Sequence, residues 1–390
     1  MNNTFFSKRI AISTHYLIYS APTALRDYLK EKKIQRVFYF SHPLLVKDTP
    51  NEEKSYCELI QAGQTTYLKK ARFKFYNLVI SSIYEFIMTM VWFMQEGKKY
   101  DLFVGVDCLN AFQGIVLKLF GKVKKTVYYT IDYFPIRFAN PVLNWIYFTL
   151  DKICVQFADE TWNVSTMMAK ARRANGLKGK KFERQFTVPI GIWFDKAPRK
   201  NYDQIKKNTL VFVGHLKDYM GVDLAIKSLL IIIKTIPDTK LIIIGGGEKE
   251  EELKQLARQL GLVKHIDFYG WIRNREKLEK ILSECAIGIA PFNTQILDDK
   301  VKNADPAKIK DYMLLGMPII VTNAISNAKE ISEKRCGFVI EYNVNAFAKV
   351  AMRLLGDEAL LKEYRNNVLT YVNQFDYNEL FQHNLKRIFT

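Results

Sequence analysis

The stretch from Pro306 to Thr322, PAKIKDYMLLGMPIIVT, constrains the fold more than any other part of this chain. It reads as one helix that stops at a glycine and turns into a buried strand. Gly316 suits the left-handed residue that ends a helix. Pro318 forbids continuation, because its ring clashes with the preceding turn and it has no amide hydrogen to donate. Ile319, Ile320 and Val321 then have the length and β-branching of a strand covered on both faces. A helix feeding such a strand belongs to an α/β layer fold. Within the helix, Lys308 and Asp311 stand three apart, which predicts that they share one face.

The same alternation runs through the chain. The first half offers strand-like RIAIST, helical TALRDYLKEKK, strand-like RVFYFSH, a long helical region from about Tyr67 to Gly97, then DLFVGVD, helical NAFQGIVLKLFG and KTVYYTID. The pattern restarts after the polar segment Lys196 to Asn208: TLVFVGH, helical VDLAIKSLLIIIKTI, KLIIIGGG, helical EKEEELKQLARQLG, HIDFYGW, helical REKLEKILSEC and AIGIAPF. Two such repeats in 390 residues predict two Rossmann-like domains facing a cleft, at roughly 100–200 residues per domain. We place them at residues 1–197 and 198–372, followed by a terminal helix at 373–390.

Composition excludes several classes. The five cysteines, Cys57, Cys108, Cys154, Cys285 and Cys336, are scattered singly, with no spacing that binds zinc or builds a disulfide framework. A reducing cytoplasm is expected, with no metal site. The N-terminus MNNTFFSKRIAIST runs straight into a strand without the apolar core of a signal peptide. Leu78 to Met94 is apolar but short for a bilayer span, with Glu85 near its middle, and is expected to be a buried or interfacial helix. Residues 1–200 carry 31 Lys+Arg against 16 Asp+Glu, and the remainder 27 against 24. The excess gathers in Tyr67–Tyr76, Lys122–Lys125 and Lys170–Arg184. Two readings fit these clusters: attraction to an anionic membrane surface, or a solvated charged face. No RNA- or DNA-binding module accompanies them, so nucleic acid is not an expected partner.

Ligand loops in open parallel sheets lie at the carboxyl ends of strands. His15, Asp107 and Asp132 each follow a strand-like run, which predicts that all three face one crevice. Asp132 is flanked by aromatics, with Arg137 five residues on. It suits a group that aligns or deprotonates an acceptor hydroxyl, and equally a helix cap or an ion pair with Arg137. Gly245-Gly246-Gly247 is either a tight strand-to-helix turn or a phosphate-approaching turn. Gly214 and Gly221 bracket a second such turn. Asn303, Asp305, Lys308 and Asp311 form a polar group at the start of the helix described first. There Asp311 suits ribose hydroxyls and Lys308 a leaving diphosphate. A solvated helix face would carry the same residues, and Trp271, grouped with the donor side, is read as a core or cleft-wall residue.

The pieces LVFVGHLKDYMGVDLAIKSL, KLIIIGGGEKEEELKQLA, HIDFYGWI, AIGIAPF and PAKIKDYMLLGMPIIVT occur in the order found in GT-B glycosyltransferases of the retaining family 4 type. The second half closely resembles their nucleotide-sugar domain. The resemblance implies a UDP- or GDP-type sugar donor held by the second domain and an acceptor held by the first, with no cofactor beyond that donor. It also implies that the final segment, FDYNELFQHNLKRIF, packs back on the first domain. The family commonly has two glutamates seven residues apart; here Asn303 and Asp311 stand there. Its arginine and lysine for the diphosphate are replaced by His215 and Met220, so that Lys308, helped by Lys217, is expected to take their role, with Gly214, Gly221 and Gly246 shaping the phosphate and donor loops.

The expected function is a metal-independent, retaining transfer of a sugar from a nucleotide-diphosphate donor to a glycan or polyprenol-linked acceptor in cell-surface polysaccharide synthesis. The enzyme is expected in the cytoplasm, at the inner face of the membrane. The alternative is a GT-B-like nucleotide-binding or scaffolding subunit, for which the loss of the two usual cations speaks.

Overall fold

The computed structural model describes residues 5–15, 20–43, 54–133, 136–296, 307–325 and 327–390. The chain forms two compact units: Met1–Ile190 together with Tyr377–Thr390, and Gly191–Asp376. The division falls just before the polar Lys196–Asn208 segment, whose last residues already belong to a strand.

The first unit is built on an eight-stranded sheet in the order β4-β3-β2-β1-β5-β6-β7-β8. Its strands are β1 (Arg9–Thr14), β2 (Arg36–Ser41), β3 (Tyr56–Gln61), β4 (Gln64–Lys70), β5 (Tyr100–Val106), β6 (Val123–Thr130), β7 (Glu160–Asn163) and β8 (Gln185–Thr187). Helices α1 (Ala21–Glu31), α2 (Leu78–Glu96), α3 (Cys108–Leu119), α4 (Pro141–Phe157) and α5 (Thr166–Ala174) connect them. β1 pairs in parallel with both β2 and β5, so the strand order reverses beside β1.

One element departs from the sequence reading. Residues from Tyr67 onward were expected to be helical, but Tyr67–Lys70 close an antiparallel hairpin with β3. Its two-residue connection, Ala62-Gly63, has positive φ at both positions, 48° and 86°, the backbone twist that hairpins favour. α2 begins only at Leu78, where the Asn77 side chain accepts from the amides of Val79 and Ile80, and it ends at Gly97 in the left-handed region.

The second unit carries a six-stranded sheet, β11-β10-β9-β12-β13-β14, with every recorded pair parallel. Its strands are β9 (Lys206–Val213), β10 (Lys240–Ile244), β11 (Ile266–Gly270), β12 (Cys285–Ala290), β13 (Ile319–Thr322) and β14 (Gly337–Ile340). Helices α6 (Val222–Thr235), α7 (Glu250–Gln259), α8 (Arg275–Ser283), α9 (Ala307–Leu314), α10 (Ala328–Glu333), α11 (Val344–Gly356) and α12 (Glu358–Val372) cover them. In chain order this is the 3-2-1-4-5-6 doubly wound arrangement, whose ligand crevice lies where β9 meets β12. Both faces are buried: Leu210, Phe212, Leu241 and Ile287 pack on one side, and Val211, Ile242, Ile319 and Val321 on the other. Each such side chain contributes about 1.5–3 kcal/mol of transfer free energy.

The helix-to-strand element read from sequence is present. α9 ends at Leu314 and Gly316 adopts φ 78°. The Met317 amide donates to the Tyr312 carbonyl, and β13 follows after Pro318. The last helix, α13 (Tyr377–Phe389), belongs to the first unit. Phe381 packs on Tyr28 of α1 with ring centroids 5.6 Å apart, and Arg387 holds Glu160 at 2.8 Å. All five cysteines are free and buried.

Candidate functional site

In the second unit, three loops at the carboxyl ends of β9, β10 and β11 are laced together by backbone bonds. The Gly214 amide donates to Ile244 O, Leu216 to Gly246 O, Gly245 to Gly270 O and Lys249 to Leu216 O, at 2.8–3.1 Å. The approach is so close that side chains are excluded. A Cβ on Gly245 would stand 1.9 Å from the Gly214 carbonyl oxygen, and one on Gly221 would stand 1.8 Å from that of Pro291. Gly221 sits at φ 66° and opens α6. The triple glycine is therefore a turn required by loop-to-loop packing, which also leaves bare backbone at the head of the sheet.

Lys308 of α9 points into this head. A Cβ on Gly214 would lie 2.8 Å from its Nζ. The ammonium also contacts Met220 Sδ at 3.5 Å and the rings of Phe212 and Phe292 at 4.3 and 5.2 Å. No carboxylate pairs with it among the described residues, and burial pushes it down to about 7. A lone ammonium in apolar surroundings favours a bound anion, because a counter-charge relieves its desolvation.

Asp311 does not share this environment. Its Oδ1 accepts from Arg275 Nη2 of α8 at 2.7 Å, so the two residues three apart on α9 serve different neighbours. The helix is formed as expected and sets the two on neighbouring positions of one face, but the Asp311 carboxylate is taken by Arg275 of α8. His215 is exposed, and its ring meets Trp271 edge-on at 4.7 Å. Burial, then Lys217 and Lys308, lower its pKa, so it holds no charge to offer near neutrality. Trp271 is 57% exposed and its indole lies over Gly246. Lys217 is exposed. Asn303 and Asp305 lie outside the described residues.

Sequence reasoning missed Tyr312. Its hydroxyl accepts from the Val213 amide at 2.7 Å and donates to the Ile289 carbonyl at 3.3 Å. Gly288 leaves room for its ring, since a Cβ there would come within 2.4 Å of it. The tyrosine in KDYML was visible, but nothing local announced its partners.

The first unit has its own polar centre where β1 and β5 adjoin, again at a reversal of strand order. His15, just past β1, sits between two carboxylates, with Nδ1 2.6 Å from Asp107 Oδ2 and Nε2 2.9 Å from Glu85 Oε2. Burial lowers the imidazole pKa, but the charges and hydrogen bonds of Asp107 and Glu85 outweigh it and raise it to about 10. Asp107 adopts φ 69°, an uncommon region for a non-glycine residue. There its Oδ1 caps α3 by accepting from Leu109 and Asn110, while Oδ2 faces His15. Despite burial, His15 holds the Asp107 carboxyl below its usual range.

Asp132 follows β6, and its charge reaches Arg137, which also feels Asp107. Of the three residues expected together, His15 and Asp107 touch, and Asp132 and Asp107 both act on Arg137. Glu85 was noted in the sequence only as an interruption of an apolar run. A cavity of about 510 Å³ is lined by His15, Glu85, Asp107 and Arg137 and, for the rest, chiefly by apolar residues of α2, α3 and α4.

Residues 194–370 match the family model for group 1 glycosyl transferases. An uncharacterized glycosyltransferase of Haemophilus influenzae is 30% identical over 164 residues, covering 42% of this chain and 43% of that protein. The UDP-Gal:alpha-D-GlcNAc-diphosphoundecaprenol alpha-1,3-galactosyltransferase of Escherichia coli is 26% identical, covering 48% and 50%. The chain thus spans about half the length of the curated relatives it matches. Among solved structures, sucrose-phosphate synthase from Thermosynechococcus elongatus superposes with a TM-score of 0.69 at 15% identity, over 98% of both chains. Anabaena HepE in complex with UDP also gives 0.69, at 14% identity, over 98% and 99%. Residues 194–370 thus match the group 1 glycosyl transferases, in a chain whose two α/β units have the fold of GT-B glycosyltransferase structures.

Proposed function

We propose that this chain is a glycosyltransferase that moves a sugar from a nucleotide-diphosphate donor, held by the second unit, to a hydroxyl of a glycan or lipid-linked acceptor held by the first. The observation that carries the reading is the Lys308 ammonium beside Gly214, with no carboxylate partner among the described residues. It supplies positive charge at the point where a doubly wound sheet binds phosphates. Bare backbone from Gly214 to Gly221 approaches the diphosphate, and Trp271 flanks the donor. As the bond between sugar and diphosphate breaks, negative charge grows on the leaving oxygen, and a cation already in place stabilises it without reorganisation. The transfer proposed here needs no metal and retains configuration.

Asp132 orients the acceptor through its link with Arg137. Asp311 takes the ribose hydroxyls only where Arg275 yields its oxygen. A relative that uses UDP-Gal and a structural neighbour that binds UDP support a uridine donor as the first to test, ahead of GDP sugars. We place the enzyme in the cytoplasm at the membrane surface, in the assembly of cell-surface polysaccharide. Calorimetry with UDP and GDP, alongside donor hydrolysis, tests the reading. Lys308→Ala should lose at least an order of magnitude in both, and unchanged values would remove Lys308 from the donor site.

The uncharged His215, standing where the family has an arginine, favours a second reading, a nucleotide-binding subunit without transfer. Tight nucleotide binding with no transfer to any acceptor extract would select it.

A further inference from the structure

Helix α2 is turned inside out relative to an ordinary surface helix. Over its first three turns the buried face is polar, Ser81, Glu85 and Thr89 spaced by four, before Trp92 and Phe93 close it; Glu85 accepts from Ser81 and meets His15, and Thr89 meets His42. Its outward face is apolar: Ile80, Ile83, Ile87, Val91 and Met94 are all exposed. Val142, Trp145 and Ile146 of α4 are exposed likewise, Trp145 at 68%. Water does not favour so large an apolar surface, which marks an interaction site.

Charge says what covers it. From Gln64 to Tyr84 there is no Asp or Glu, while Lys69, Lys70, Arg72 and Lys74 lead into α2 among exposed Tyr67, Phe73 and Tyr76. The acids of the two helices are all engaged elsewhere: Glu85 with His15, Glu96 with Arg36, and Asp151, buried, with Arg172. An apolar face edged by cations and aromatics, free of exposed acid among the described residues, complements an anionic bilayer.

The cavity between α2 and α4 runs from this face inward. Ile83 and Ile146 are exposed at its mouth, Phe86 and Phe112 line its wall, and buried Glu85 with His15 forms its floor. The geometry points to a membrane-resident amphiphile: its apolar chain passes between α2 and α4 into the bilayer, and its hydroxylated head reaches the polar floor. This rests on the glycosyltransferase reading and deepens it, because the acceptor is then lipid-linked and is taken directly from the membrane.

The test uses the full chain and vesicles of phosphatidylcholine with or without phosphatidylglycerol, their acyl chains brominated to quench tryptophan. Quenching is expected only with phosphatidylglycerol, and most of it is lost in Trp145→Phe. Replacing Lys70 and Arg72 with glutamine should weaken vesicle binding about twenty-five-fold, at roughly fivefold per cation. Ser82→Trp, which fills the cavity wall and leaves the rim intact, should keep vesicle binding but lose at least tenfold in saturable binding of dodecyl maltoside below its micelle concentration. Absence of quenching, or a dimer that dissolves in Ile83→Glu by light scattering, would overturn the proposal, as would unchanged detergent binding by Ser82→Trp. Uridine diphosphate binding, measured in parallel, keeps the two readings apart. If it persists with transfer to a soluble acceptor while vesicles are ignored, only this inference fails; if vesicles bind and no donor sugar is ever transferred, the enzymatic reading fails.

Discussion

The Tyr312 hydroxyl bridges the two strands that flank the switch point of the second unit, accepting from Val213 N of β9 at 2.7 Å and donating to Ile289 O of β12 at 3.3 Å. It sits on the helix that carries Lys308, four residues on. One oxygen thus sets the height of α9 above the sheet and, with it, the reach of the ammonium toward Gly214.

Tyr312→Phe keeps the ring and leaves the Val213 amide without its partner. An unsatisfied buried amide costs about 1–3 kcal/mol, which in a unit of this size lowers the melting midpoint by several degrees. Calorimetric melting of the variant should show that drop, together with weaker nucleotide binding. A midpoint equal to wild type would mean that α9 is held by its apolar contacts alone.

Lys308 gives donor binding a pH dependence whose sign is determined. In the free protein its ammonium titrates near 7, and a diphosphate binds the charged form. Affinity should therefore be full below pH 7 and fall as pH rises through it, by at most about tenfold per unit. Lys308→Arg holds its charge across this range and should bind with a flat profile from pH 6 to about 8.5. Titration calorimetry at stepped pH checks both, and a wild-type profile as flat as that of the arginine variant would reject the assignment.

The stop at Gly316, the turn at Pro318 and the strand after it were legible because they depend on backbone chemistry that a single residue carries. So was the second sheet, whose strands are buried on both faces and read as continuous apolar runs. The hairpin at Tyr56–Lys70 was hidden because its outer strand is exposed almost throughout, so the alternation that marks a half-buried strand is faint. Side-chain partners were less legible still. Asp311 faces Lys308 on a helical wheel, yet bonds to Arg275, 36 residues away. Glu85 belongs to a polar centre whose other members, His15 and Asp107, lie 70 residues before it and just past the next strand.

His15 makes a second pH prediction, of opposite sign for stability. Its pKa is raised from 6.5 to about 10 in the fold, so the native state holds a proton that the unfolded chain releases. The contribution is complete below 6.5 and disappears as pH climbs toward 10. Lys308, with a lowered pKa, works the other way, so the informative quantity is the difference between wild type and His15→Gln. That difference should be largest near pH 6, on the order of 3–5 kcal/mol because Glu85 and Asp107 lose their shared cation, and should shrink steadily in alkaline buffer. Chemical denaturation at pH 6, 8 and about 10 resolves it. A difference that stays constant would show that His15 is neutral between its two carboxylates.

Two adjacent glycines separate backbone necessity from side-chain convenience. At Gly245 a methyl group would stand 1.9 Å from the carbonyl oxygen of Gly214, and φ is 134°. Neither the clash nor the conformation can be relieved without pulling apart the loops after β9 and β10. At Gly246 the nearest atom is Trp271 Nε1 at 2.7 Å, on an indole that is 57% exposed and free to swing outward. Gly245→Ala should cost roughly 3 kcal/mol or more, in the range of strained backbone and overpacking combined. Gly246→Ala should cost under about 1 kcal/mol, the scale of a surface change. Nucleotide affinity should fall with the first because Gly214 moves away from Lys308. With the second it should change only as far as Trp271 touches the base, and the red shift of tryptophan emission reports that movement directly. Equal destabilisation by both would show that the loop lacing at Gly214 and Gly245 does not govern this head of the sheet.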